Sequence, residues 1–269
     1  MLNIKNLTPI QLNNLIRLGR DNDGGYIIPK SLVDNCDGLL SYGINKDWSF
    51  EDDFIKRKKN INVHCYDHTL NISSLTKFTI KSILLVFLYS IIFDRKRLKK
   101  SFDGLFIINS YFNFFNKKII HFRNRIWDDN EGINTTVNKT ISKILLDGSK
   151  NIFIKMDIEG AEFKVLKNFN DLESKIIGLA IEFHDINSRT NEFNRIIESL
   201  KKNFHIAHVH GNNYSKIDSI SNFPSSLEIT FINKKLMKGK VTITEERYPI
   251  KGLDQPNKHS KPDINLNFN

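Results

Sequence analysis

Apolar positions along the chain fall into two rhythms, short dense runs and longer stretches at helical spacing. Residues 7–18 have the second rhythm and predict a helix, with Thr8 as N-cap and Pro9 at its first position. Asp23-Gly24-Gly25 predicts a hairpin turn leading into a short apolar strand. Residues 38–43 read as a buried strand closed by Gly43, residues 50–58 as a helix, and residues 61–67 as a second strand closed by Asp67. Strand, glycine turn, helix, strand, acid is the first half of a nucleotide-binding α/β unit.

Residues 72–103 hold the most apolar run, 83–93, followed by the basic cluster Arg95-Lys96-Arg97-Leu98-Lys99-Lys100. The run is shorter than the about 20 apolar residues that cross a bilayer. It predicts no transmembrane segment but a buried helix with a solvated basic end, a membrane-surface helix being the alternative. Residues 106–122 are aromatic-rich, with a strand at 118–122, and residues 135–146 predict a helix stopped by Gly148. Further on, strands are expected at 151–157, 176–183, 205–210 and 227–233, and helices at 159–168 and 191–202. This alternation predicts an α/β fold: a mostly parallel, doubly wound sheet with helices on both faces. The expected division is an N-terminal helix and hairpin (1–36), the α/β domain (37–233) with an insertion at about 72–125, and a C-terminal extension (234–269). The tail after about residue 253 reads as peripheral.

Composition changes this picture little. Hydrophobic residues make up 40% and charged residues 26%, which is globular rather than disordered. The net charge is +10, from 40 Lys and Arg against 30 Asp and Glu. Such a balance suits an anionic partner (a nucleotide, a charged glycan or a membrane surface), and it also follows from a Lys-, Asn- and Ile-rich composition with no such partner. The two cysteines, Cys36 and Cys65, exclude a disulfide scaffold and a Cys-based zinc site. The N-terminus lacks the apolar core of a secretory signal, so a cytoplasmic protein is expected.

Candidate chemistry collects at the strand ends, where a doubly wound sheet binds its ligands. In chain order these are Gly43, Asp67, Asp157 with Glu159, Glu182 with His184, and His208 with His210. A glycine lets a ligand approach the backbone closely. An acid closing the second strand can accept both hydroxyls of a ribose. Neither G-x-G-x-x-G nor G-x-x-x-x-G-K-[ST] is present, which disfavours dinucleotides and nucleoside triphosphates. A nucleoside cofactor without a pyrophosphate, S-adenosylmethionine (SAM), fits better.

Lys155-Met156-Asp157-Ile158-Glu159-Gly160-Ala161-Glu162, continued by Phe163-Lys164-Val165-Leu166, resembles the signature of the FkbM-type methyltransferases, in a bacterial branch. The pieces 19–29, 41–51, 208–213 and 224–231 agree with it in order, and the resemblance covers roughly residues 17–233. It implies a Rossmann-like class I methyltransferase that uses SAM, typically on a hydroxyl of a sugar, sugar nucleotide or surface-polysaccharide precursor. By that resemblance Gly43 is the first cofactor-loop glycine, Asp67 the ribose acid and Asp157 the acid ending the fourth strand. Relatives often carry further glycines in the loop where this chain has Asn45-Lys46-Asp47-Trp48. Arg20, Asp23 and Gly24 are then expected to close the methionine end, with Asp47 and His68 completing the cofactor set.

Methyl transfer to a hydroxyl needs its proton removed, by a base or by a divalent metal that lowers its pKa. Asp157, His184 and His210 are expected to converge, with His184 or His210 as base; a metal held by the same three is the alternative. Glu182, His208 and Asn212 are expected on the acceptor, a small polar or anionic molecule. Glu162 is expected to cap its helix. Two other readings compete: a non-catalytic nucleotide- or glycan-binding module of the same fold, and a nucleic-acid methyltransferase. The second lacks a stacking motif after a strand, so no nucleic-acid partner is expected. The oligomeric state is not written in these patterns.

Overall fold

The structure is a computed structural model and describes residues 1–168 and 173–268. In chain order it contains β1 (Leu15–Leu18), β2 (Tyr26–Pro29), α1 (Lys30–Asn35), β3 (Gly38–Tyr42), α2 (Ser49–Arg57), β4 (Asn62–Tyr66), α3 (Ile72–Ile91), α4 (Arg95–Leu105) and α5 (Ile107–Phe114). There follow β5 (Ile119–Phe122), β6 (Arg125–Ile126), β7 (Asn134–Thr135), α6 (Val137–Leu146), β8 (Ile152–Met156), α7 (Glu162–Val165), β9 (Ile176–Phe183), α8 (Thr190–Asn203), β10 (Phe204–Gly211) and β11 (Leu227–Asn233).

Seven strands form one sheet in the order β10-β11-β9-β8-β3-β4-β5. All neighbours pair in parallel except β11, which runs antiparallel to both β9 and β10. β3, β8 and β9 are buried throughout, as strands covered on both faces must be. Alternation divides their side chains between two cores. Leu40, Tyr42, Ile154 and Met156 join α6 and α8 on one face, while Leu39, Val63 and Phe153 join α1 and α2 on the other. The chain leaves β3 toward one sheet edge and β8 toward the other, so their carboxyl ends frame the switch-point crevice.

Four expectations need correction. Residues 7–18 are not a helix. A single 3-10 turn (Ile4–Leu7) is followed by irregular chain, and β1 then pairs with β2 as a hairpin. The Ile10 N–H donates to the carbonyl of Ile206 and that of Gln11 to Thr242, so these amides are used by neighbouring segments rather than by a helical turn. The helix expected at 159–168 shrinks to α7 and a 3-10 turn, Leu166–Asn168, because Glu159 and Gly160 sit in left-handed conformations. The C-terminal tail is not peripheral: Asn257, Ile264 and Leu266 are buried against β10 and its surroundings. Finally, α3 is not a buried helix, and at 20 residues it is long and apolar enough to cross a membrane by length and composition. Only one of its sides is covered, by α4 and α5.

Candidate active site

The carboxyl ends of β3, β4, β8 and β9 open into a cleft of about 1000 Å³, room for a nucleoside and an acceptor together. Backbone hydrogen bonds tie the strand ends to one another. The Gly43 N–H donates to the Tyr66 carbonyl at 3.0 Å and the Asp157 N–H to the Tyr42 carbonyl at 3.1 Å. Gly43 has φ +75°, and a Cβ there would lie 1.6 Å from the Asp157 carbonyl oxygen. Only glycine fits. Gly43, Asp67 and Asp157 all line the cleft, as expected.

Asp67 is more committed than the sequence implies. Its Oδ1 accepts from the Thr69 N–H (2.7 Å), the Thr69 hydroxyl (2.6 Å) and the Leu70 N–H (3.2 Å). Its Oδ2 accepts the Asn45 N–H at 2.7 Å. Among the described residues no second donor reaches Oδ2, so one oxygen, not two, remains to accept a ribose hydroxyl.

Across the cleft, the Arg20 guanidinium pairs with Asp47 at 2.9 Å, and its Nε donates to the Asp23 carbonyl at 2.7 Å. Gly24 (φ +91°) lies against the same Asp47, where a Cβ would come within 2.4 Å of Oδ2. Arg20, Asp23, Gly24 and Asp47 therefore form one rim, and His68 lines the cleft from the β4 side.

After β8 the signature Asp157-Ile158-Glu159-Gly160-Ala161-Glu162 acquires a physical meaning. Two consecutive left-handed residues, Glu159 (φ 55°) and Gly160 (φ 92°), turn the chain back on itself. Glu162, fully buried, then accepts the Ile158 N–H at 3.0 Å, which closes the turn ahead of α7 rather than capping the helix as expected. The same oxygen accepts the His184 Nδ1–H at 3.2 Å. That leaves His184 Nε2 facing Asp157 Oδ1 (3.9 Å), Glu159 Oε2 (3.7 Å) and Glu182 Oε1 (3.7 Å), none of them within hydrogen-bond distance.

The cluster carries excess negative charge. Burial pushes the Asp157 carboxyl up to about 6 despite Lys155 and His184. Burial and the Asp157 and Glu182 charges also lift Tyr26, whose hydroxyl donates to Asp157 at 3.4 Å. Burial, then repulsion from Asp157 and Glu228, push Glu182 up to about 8. His184 loses some affinity for its proton through burial, but the Glu162 hydrogen bond and the Glu182 charge outweigh this and hold it at about 10. Glu182 also accepts from Asn212 (2.7 Å) and Ser226 (3.0 Å), so Glu182 and Asn212 share one corner of the cleft.

His208 and His210 do not reach the cleft, which corrects the expected convergence. The reversed strand β11 stands between β9 and β10, putting His210 two strand spacings, about 10 Å, from Glu182. The tail has taken both rings. His210 lies between Glu228 (3.1 Å) and Asp263 (3.0 Å), and His208 meets Asp254 at 3.2 Å. In the trio expected to hold a metal, Glu182 replaces His210: Asp157, Glu182 and His184 offer ligand atoms all within 4.8 Å of one another.

Sequence reading missed Lys155. It is buried, donates to the Gly43 carbonyl at 3.3 Å and lies 3.9 Å from Asp157. A lysine interrupting an otherwise apolar strand two residues before Asp157 was the available signal, since residues two apart share a face. Trp127 was also missed. It lines the cleft with Arg125 stacked 3.5 Å and Lys164 4.1 Å over its ring, and nothing in its local pattern marks it.

A doubly wound sheet with one reversed strand beside its edge, and a switch-point cleft lined by a strand-end glycine and an acid at the second strand's end, define a Rossmann-like class I methyltransferase. The chain matches the family described as the methyltransferase FkbM domain over residues 39–214. It belongs to that family and is a SAM-dependent methyltransferase. Among solved structures it is similar to a precorrin-6y C5,15-methyltransferase from Geobacter metallireducens GS-15, at 9% identity and TM-score 0.37, over 76% of this chain and 85% of that one. It is also similar to the plantazolicin methyltransferase BpumL in complex with a monoazolic desmethylPZN analog and SAH, at 8% identity and TM-score 0.34, over 74% of this chain and 76% of that one. Comparison with curated proteins gives no match. The residues present suit SAM: backbone at Gly43 lining the cleft, acceptor capacity left at Asp67 Oδ2 beside its one bond from Asn45, and an anionic cluster for a sulfonium charge.

Proposed function

We propose that the chain methylates a hydroxyl of a small polar, anionic acceptor, a sugar, sugar nucleotide or surface-polysaccharide precursor, with His184 taking the hydroxyl proton. One observation carries the reading: the His184 ring is fixed at Nδ1 by buried Glu162, while Nε2 faces the cleft among three carboxylates. SAM, when bound, supplies a methyl group on a positively charged sulfonium and becomes a neutral thioether once the methyl has left.

His184 alone is a poor base, because its carboxylate neighbours hold its proton. A cation brought into the cluster repels that proton and frees Nε2. With SAM bound, His184 Nε2 would take the acceptor's hydroxyl proton as the methyl group is transferred, and the imidazolium would then be the cation that the cluster holds. Charge is conserved, and Asp157, Glu182 and Glu162 stabilise the cation at either position without rearranging. Elsewhere in the cleft lining, Arg125 and Lys164 over the Trp127 ring present positive charge, a fit for an anionic acceptor.

Labelled methyl transfer from SAM to a panel of sugar nucleotides and glycosides tests the acceptor class. His184→Gln, assayed on whichever acceptor is methylated, should lose about 10²–10⁴-fold in turnover with SAM affinity retained; a loss under about tenfold would sink the base assignment.

The trio Asp157, Glu182 and His184 favours one second reading, in which it holds a divalent cation that lowers the hydroxyl's pKa. Dialysis against EDTA separates the two. Unchanged turnover supports His184 as base, whereas loss restored by Mg²⁺ or Mn²⁺ supports the metal.

A further inference from the structure

Between β4 and β5 the chain leaves the carboxyl edge of the sheet, just after Asp67, as a helical hairpin. α3 is apolar on both sides. Its inner side packs on α4: Leu75 and Ser82 are buried, and a Cβ on Gly104 would lie 2.2 Å from the Ser82 hydroxyl oxygen. Its outer side carries Ile80, Ile83, Leu84, Phe87, Leu88 and Ile91, all exposed, Leu84 at 66% and Phe87 at 71%. Their spacing places all six in a single helical stripe. Soluble monomers rarely leave such a patch open.

The hairpin tip adds a sign to this face. Phe93, 87% exposed and left-handed at φ 55°, turns the chain into α4. Arg95, Arg97 and Lys99 follow at once, exposed; Asp94 pairs with Arg97 at 3.4 Å, and the Arg97 guanidinium also lies over the Tyr89 ring. Lys77 and Lys81 are exposed on α3 itself.

We propose that the α3–α4 hairpin docks on an anionic lipid bilayer, its apolar stripe in the headgroup–acyl boundary and Arg95, Arg97 and Lys99 against lipid phosphates. Length and composition alone would let α3 cross a membrane. However, α4 folds back along it, and a crossing would have to carry those three charges through the hydrocarbon to the far side. A second copy of the chain fits less well, since the cationic tip and the +10 net charge oppose self-association.

Sedimentation of the full chain with phosphatidylcholine vesicles, with and without phosphatidylserine, tests this and reads binding alone, so its failure leaves the methyl-transfer reading untouched. The chain should sediment with phosphatidylserine vesicles and release at high salt. Leu84→Glu with Phe87→Glu should weaken that binding at least tenfold while SAM affinity, measured by calorimetry, is kept. Arg95→Ala and Arg97→Ala should each weaken it about fivefold. The proposal is overturned if the wild-type chain ignores both vesicle types or if the double glutamate variant binds as before. It is equally overturned if the wild-type chain is a dimer that this variant splits, which would put a second copy on the stripe.

Discussion

Alanine at position 43 would press its Cβ into the Asp157 carbonyl and force a left-handed backbone on a residue that disfavours it. The conformation alone costs about 1–3 kcal/mol, and relief requires the β3 and β8 tips to part. Gly43→Ala should therefore lower the melting temperature and abolish SAM binding together, as thermal unfolding and calorimetry would show. His210 makes a different prediction. Burial opposes its charge, but the hydrogen bonds its ring donates to Asp263 and Glu228 hold its pKa at about 10, above its ordinary 6.5. A raised folded-state pKa stabilises fully below about 6.5, and the benefit is lost as pH rises through about 10. Denaturant midpoints should fall across that window in the wild type and less so in His210→Gln. His210→Ala should cost about 3–5 kcal/mol at neutral pH, because two carboxylates lose their cation. Methyl transfer should survive in it, since His210 lies outside the cleft.

At the level of elements, the strands of the sheet were legible because apolar runs bounded by glycine or acid have few other readings; β3, β8, β9 and β11 lie where the pattern puts them. Residues 7–18 misled because leucine spacing suits a helix and a hairpin flank alike, and the deciding hydrogen bonds, to Ile206 and Thr242, come from distant sequence. The strand-tip rule located Gly43, Asp67, Asp157, Glu182 and His184 but overreached at His208 and His210. It assumes parallel neighbours, and a reversed strand between β9 and β10 has no local signature. The tail carboxylates Asp254 and Asp263, whose pairing empties those histidines of a catalytic role, lie more than forty residues downstream. α3 was misjudged for a related reason: periodicity detects an apolar face but not whether the fold supplies anything to cover it.

Across the whole molecule, charge is distributed against its net sign. A chain of net charge +10 gathers Asp157, Glu162 and Glu182, with the exposed Glu159 at the rim, around one imidazole in the cleft at its strand ends. Such a concentration is tolerable when a cation sits in it, and Lys155 and protonated His184 provide part of that charge in the free protein. SAM adds a cation and SAH does not, so the two ligands should differ in the protons they displace. Calorimetric titration of each at about pH 8, between the ordinary 6.5 of histidine and the about 10 of His184, in buffers of different ionisation enthalpy, counts those protons. Both should bind, SAM with more net proton release than SAH, and His184→Gln should shrink the difference to the share that Glu182, itself raised to about 8, gives up. Failure of either ligand to bind, or equal proton release by both, would contradict the account.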